Sequence, residues 1–268
     1  MDWNASPAVY PPHLRSRVRR GFGIGIGPDY RSWCQIKGSG GKGTSAYVRG
    51  IKIDRIYQLL SEKETTYFYL LERSRSIIDI REHWPILDLD RTLQLSRQCG
   101  VHHPFRNGAP EPFTLDFLVT ELTDKGLTYR AANLSPTVAN LHDRSGQLLH
   151  VQYLWCIENG VPWFRVDTSQ FDRKVLQNLR YIRSWFLHQY RSDDELAESY
   201  AETFLACYER NVPLQSLLVA SRQRLHLTDT AALDTFLYCA WSKRIPVSLT
   251  HRLALSAPVV LDDGYNHG

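Results

Sequence analysis

Asp116 stands inside the apolar run from Phe113 to Leu122. A carboxylate there costs free energy unless it is paired or bound to a metal. Asn133 lies near the end of a second such run, Leu127 to Leu134, and Thr123-Asp124-Lys125-Gly126 between the two reads as the turn of a β-hairpin. A carboxylate on one strand and an amide on its neighbour can form two walls of a metal site. Glu64 offers a further oxygen from a helix, because Ser61 can cap that helix with Glu64 at the capping-box position. Mg²⁺ prefers oxygen ligands and keeps several waters, so two acidic side chains plus an amide or backbone carbonyl suffice, with Mn²⁺ as the alternative ion. Glu64, Asp116, Asn133 and the Leu134 carbonyl are therefore the candidate metal ligands. Such a set suits phosphodiester cleavage, in which a metal activates a water and a basic residue beside it assists.

The elements that must hold these groups can be read from periodicity and caps. The Ser61 helix runs to about Arg73, with Tyr67, Phe68 and Leu71 on its buried side. Tyr47 to Ile56 is extended, Ile77 to Ile80 is a short strand, and Arg81 to Leu87 ends at a proline. Asp90 to Cys99 is an amphipathic helix stopped by Gly100. Thr137 to Glu158 is helical in pattern, and Val161 to Val166 reads as a buried strand. Residues 1–167 thus form a mixed sheet flanked by helices, an α/β unit preceded by a basic arm over 1–20. The arm reads as a solvated segment, and Gly21 to Gly27 as a turn-rich connector, since no strand precedes its alternating glycines and no helix follows. Residues 168–268 form a smaller helical domain: a Tyr-, Trp- and Arg-rich helix, then helices over about 193–210, 212–225 and 229–240. Arg244 to Leu249 and Ala254 to Leu261 can pair as a ribbon. The last three helices and a ribbon describe a winged helix, and the composition fits any small helical domain equally.

Composition narrows the classes. The 268 residues, 43% hydrophobic with seven tryptophans, are enough for one large domain or two smaller ones. No apolar run is long enough to span a membrane, and the first residues lack a signal-peptide core, so a cytoplasmic protein is expected. Five scattered cysteines without a CxxC pair fit neither a disulfide framework nor a zinc ribbon. The net charge of +4 fits an anionic partner without demanding one. Candidate phosphate contacts are Arg15, Arg17, Arg19, Arg20, Lys42, Lys63 and Arg73.

In restriction-endonuclease-like folds, a helical Glu and a strand Asp are followed on the next strand by Glu-x-Lys or Gln-x-Lys. The chain resembles more specifically the TnsA endonuclease family of heteromeric cut-and-paste bacterial transposons. The matching residues are Gly21-x-Gly-x-Gly-x-Gly27 with Asp29-Tyr30 and Trp33; Leu59-Leu60-Ser61 with Glu64, Phe68 and Leu71-Glu72; Ile78-Asp79-Ile80-Arg81-Glu82 with Pro85; Gly100-Val101-His102-His103-Pro104; Asp116-Phe117-Leu118-Val119; and Val161-Pro162-Trp163-Phe164. They cover residues 14–167, and the C-terminal third matches by length and texture alone.

The resemblance implies a protein of the bacterial nucleoid that cuts the 5′ strands of transposon ends with Mg²⁺. It implies a DDE-type transposase and an AAA+ ATPase regulator as partners, with the C-terminal domain contacting the ATPase and DNA. Glu64 and Asp116 match the catalytic Glu and Asp. Counting back from Val161-Pro162-Trp163 puts Asn133-Leu134-Ser135-Pro136 on the family's Gln-x-Lys-Pro, so Ser135 stands where the catalytic Lys belongs. His150 falls near a family Glu. A lysine lowers the pKa of the attacking water and stabilises charge on the phosphate, and losing such a group costs about 10²–10³ in rate. Lys125 or Arg130 could stand in for it. Otherwise the chain is a non-catalytic assembly subunit, and the transposon moves by cointegrates. A stand-alone restriction-like nuclease is the third reading.

Overall fold

The computed structural model describes residues 10–37, 44–135, 144–191 and 193–262. The chain divides into two compact units, residues 1–170 and 171–268.

The first unit is built on a four-stranded sheet in the order β3-β6-β7-β8, formed by β3 (Ile77–Pro85), β6 (Thr114–Thr123), β7 (Gly126–Ser135) and β8 (Trp163–Asp167). The hairpin β6–β7 closes at Thr123↔Gly126 and keeps one register up to Phe117↔Ala132. The tight turn and the buried pairs Phe117–Ala132 and Leu118–Ala131 fix that register, since a one-residue slip would exchange the two faces of a strand. β8 runs parallel to β7, which makes the sheet mixed. Its residues are largely exposed or half-buried, so β8 is an open edge and not the buried strand its Val-Pro-Trp-Phe sequence suggests.

Helices cover both faces. α2 (Glu62–Arg73) lays Tyr67 edge-on against Phe117, with centroids 5.4 Å apart. α4 (Arg144–Glu158) lays Val151 and Trp155 into a cluster with Leu118 and Ala131. Phe117 and Leu118 are consecutive, so the two helices lie on opposite faces. α3 (Leu89–Gln98) is capped by Asp88 and adds Leu95 to the α4 cluster. The small pairs β1 (Ala46–Arg49) with β2 (Ile56–Leu59), and β4 (Phe105–Arg106) with β5 (Ala109–Pro110), complete the unit.

The expected solvated arm is instead, over Pro12–Arg19, a helix (α1) that buries Leu14 and Val18 with Tyr10, Trp33 and Leu87. Its Leu-x-x-x-Val spacing puts two apolar groups on one face, and that burial outweighs the basic composition. The glycine-alternating segment follows as a connector with a short 3₁₀ turn at Gly27–Asp29. Gly23 has φ +73°, and a Cβ there would stand 2.3 Å from Pro85 Cγ, so this position admits no side chain.

The second unit contains α5 (Arg173–Leu187), α6 (Asp194–Ala206), α7 (Leu214–Leu225) and α8 (Asp229–Trp241). Phe204 and Phe236 meet at its centre, 5.1 Å apart. Among the described residues the expected ribbon is reduced to one isolated bridge, Val247↔Leu261, while Pro258 bridges instead to Pro213 ahead of α7. Pro246 and Pro258 withhold two of the donors a continuous ladder needs.

Candidate active site

α2 starts where its sequence says it should. Ser61 Oγ accepts from Glu64 N, and Glu64 Oε2 accepts in return from Leu60 N at 2.7 Å. The cap fixes the Glu64 carboxylate at the helix N-terminus, where the helix dipole favours an anion. Asp116 reaches the same neighbourhood from β6. Its Oδ2 accepts from Leu134 N at 2.7 Å, which ties it to β7 just beyond the last paired residues of the hairpin.

The strand opposite Asp116 is irregular. His83 sits in β3 with φ +49°, between the pairs Glu82↔Phe117 and Trp84↔Leu115. Positive φ is uncommon for a residue with a Cβ. It lets consecutive side chains share a side: Glu82 accepts from Gln58 N at 3.1 Å, and His83 Nε2 lies 3.1 Å from Gln58 O and 3.2 Å from Glu64 Oε2. Both neighbours of that nitrogen are acceptors, so Nε2 carries the hydrogen. Leu115 and Leu118 both enter the α4 cluster although three residues apart, so the alternation of β6 breaks beside Asp116 as well. The wrinkle in both strands brings Asp116 under the charges of Glu64 and His83.

Burial pushes the Asp116 carboxyl up to about 6, the Leu134 N–H pulls it down, the Glu64 charge adds to the rise and His83 opposes it. Burial opposes the charge on His83, but the hydrogen bond and charge of Glu64 outweigh it, and the His83 pKa is raised.

The other expected ligands are placed differently. Asn133 is buried, and its Oδ1 accepts from Trp163 Nε1 at 2.9 Å. The Trp163 ring stands against Tyr153 of α4, so the amide is engaged on the α4 side of the sheet. Leu134 meets Asp116 through its N–H. Ser135 is buried at the end of β7, where its carbonyl accepts from Thr168 N at 3.0 Å. His150 is exposed on α4 and stacks on Tyr153. Among the described residues no group of three or more His, Cys, Asp and Glu side chains is arranged to hold a metal. The pair still suits a hard cation: Asp116 is a half-buried carboxylate with one neutral donor among the described residues, within the charge of a second carboxylate, and Mg²⁺ completes such a shell with water. Glu64 and Asp116 would hold the ion, which when bound supplies charge neutralisation and an acidified water.

Neither stand-in for the lysine is at hand. Arg130 Nη2 donates to Glu121 at 2.7 Å. Lys125 lies in the turn after Thr123, nine residues along from Asp116, or about 30 Å at roughly 3.3 Å per residue.

The candidate phosphate contacts separate too. Arg17 is committed inside the unit, to Trp33 O, to Glu111 at 3.3 Å and to the Trp33 ring. Arg73 is buried, Lys63 donates to Thr168 O at 3.0 Å, and Arg15 to Tyr10 O at 3.1 Å. Arg19 and Arg20 are exposed, and Lys42 lies outside the described residues.

Sequence reading missed His83. No local pattern announces a left-handed residue inside a strand. The signal present was a polar run, Arg81-Glu82-His83, between the apolar Ile80 and Trp84.

A mixed sheet between helices is an α/β architecture consistent with an endonuclease-like fold. No family model matches the chain. It is 29% identical over 171 residues to the transposon Tn7 transposition protein TnsA of Escherichia coli, a match covering 64% of this chain and 62% of that protein. The chain is similar to that protein over this span, which is less than two thirds of the relative's length. No helix among the described residues is long and apolar enough to cross a membrane.

The raised Asp116 pKa makes stability depend on pH. The neutral carboxyl stabilises the fold fully below about pH 4, and that contribution is lost as pH rises through about 6. In EDTA, Asp116→Asn should therefore gain about 1–3 kcal/mol over the parent at pH 8 and nothing at pH 4. Urea unfolding at both values measures it. A variant less stable than the parent at pH 8 would show that the anion is well solvated.

Proposed function

We propose that the chain is a subunit of a bacterial DNA transposition machinery. It binds transposon ends together with a DDE-type transposase under an AAA+ regulator. Its Glu64–Asp116 pair holds Mg²⁺, or Mn²⁺, for hydrolysis on the 5′ strand. The observation that carries this reading is the pairing of Glu64 with His83 at 3.2 Å, at the left-handed residue of β3 that stands beside Asp116 of β6. The likeness to TnsA supports the setting.

In this chemistry Glu64 is held ready by its cap, and Asp116 by the Leu134 N–H. Both are anions that would otherwise repel, so the free site is electrostatically strained and gains from a cation. His83 positions Glu64 through its Nε2–H. Asn133, its oxygen taken by Trp163, supports β7 against β8.

A specific observation favours a second reading, a non-catalytic assembly subunit. Ser135 offers no ammonium, Arg130 is paired with Glu121, and Lys125 is remote.

An end-cleavage assay with the partner transposase separates the two. A 5′ nick that requires Mg²⁺ and disappears in Asp116→Ala is expected, slow but measurable, with simple insertions among the sequenced products. Normal transposition that yields cointegrates and no nick would leave the second reading standing.

A further inference from the structure

If the carboxylate pair acts on DNA, as proposed above, a strand has to reach it, and the role of the groove beside it rests on that reading. A cavity of about 840 Å³ opens there. Its walls come from elements distant in sequence: α1 and its C-cap give His13, Arg17 and Arg20, β4 gives Arg106, and Lys37 and Leu60 close it. Leu60 N is the donor to Glu64 Oε2, so one wall backs directly onto the carboxylate. Cys34, also in the wall, feels the charges of both Glu64 and Asp116.

The cations of the groove are not equivalent. Arg17 is paired with Glu111, which also faces His13 at 3.7 Å, so the single carboxylate of the groove is already used. Arg20 and Arg106 both act electrostatically on Arg17 and therefore crowd the same hollow. Among the described residues no carboxylate faces Arg20, Lys37 or Arg106. Three uncompensated positive charges in one concavity repel each other, and a polyanion relieves that repulsion. The ring of Trp33 lies under the Arg17 guanidinium at 3.7 Å, and Phe22 lies near Arg17 and Arg20, so the aromatic faces are covered and offer no platform for bases. Contacts to phosphate, not to base edges, are what such a surface provides.

We infer that this groove is the track for the phosphodiester backbone of the DNA strand entering the Glu64–Asp116 pair, gripped by Arg20, Lys37 and Arg106 without reading its sequence. The partner is one strand of a duplex at the point of cleavage, and binding there releases counterions.

Fluorescence anisotropy of the full chain with a short labelled duplex, over a salt series, tests this. The variant R20A/K37A/R106A should lower the slope of log K against log salt by about 3, one unit per lost phosphate contact. It should weaken binding at low salt by about tenfold or more. R75A/R97A/K125A, which removes three exposed charges elsewhere in the unit, should keep most of the slope. Circular dichroism checks that both variants fold. If the two triple variants lose the same slope, general charge explains binding and the groove is overturned while the DNA-binding reading stands. If the parent chain binds no duplex even at low salt, that reading falls and the groove with it.

Discussion

Replacing Glu82 by Ala should lower the stability of the N-terminal unit by about 3–5 kcal/mol, the usual cost of breaking a buried ion pair from one side. Glu82 is fully buried and meets Arg55, whose Nη1 donates to Oε1 at 3.0 Å. Arg55 also donates to Ile80 O at 2.7 Å and stands 3.6 Å over the Tyr57 ring, so it cannot swing out to water. Removing the carboxylate strands a buried guanidinium and leaves the Gln58 N–H without its acceptor. The melting point of a unit this size should fall by roughly 6–20 °C. Arg49 and Asp54 form an equally well-shaped pair on the surface, and Arg49→Ala should leave stability almost unchanged, because solvent screens the pair. Thermal unfolding of both variants decides it, and equal small losses would mean that Arg55 finds another partner. Glu82 also precedes His83, so its loss should loosen the hold of His83 on Glu64. Stability and site geometry are coupled at this one break in β3.

That coupling marks the limit of what the sequence discloses. The hairpin is legible because two apolar, β-rich runs, Phe113 to Leu122 and Leu127 to Leu134, flank a Gly-containing turn. The start of α2 is legible because Ser61 and Glu64 satisfy each other locally. What stays hidden is whatever depends on distant partners. Glu82 finds Arg55 27 positions away, and Arg17 finds Glu111 94 positions away, so a basic run that looks solvated contains a structural arginine. β8 looks buried because its residues are apolar, yet nothing pairs with its outer edge among the described residues. Asn133 has the right chemistry for a ligand, but the indole of Trp163, 30 positions later, competes for its oxygen. Local propensity fixes elements, and burial and pairing then decide which polar groups remain available for chemistry.

Ser135→Lys should accelerate Mg²⁺-dependent 5′ cleavage by about 10²–10³. Ser135 follows Leu134, whose N–H holds Asp116, so its backbone lies one residue from the group that fixes that carboxylate. A lysine there brings a point charge near the attacking water and the phosphate, which lowers the water's pKa and offsets charge built up on the phosphate. Two features oppose the gain. Ser135 is buried, so the longer chain must find room, and Asp167 is its partner across the parallel ladder and could capture the ammonium. The double variant Ser135→Lys/Asp167→Asn removes that competition and should be faster still. Single-turnover cleavage of a 5′-labelled transposon end with the partner transposase gives the rate. Adding Asp116→Ala should erase the gain, since the ammonium assists a reaction that the carboxylate pair must first organise. A folded lysine variant no faster than the parent would mean that cleavage is limited by something other than the missing cation. The engagement of Asn133 with Trp163 would then be the deficit to reverse first, by Trp163→Phe, which frees the amide oxygen and keeps the ring against Tyr153.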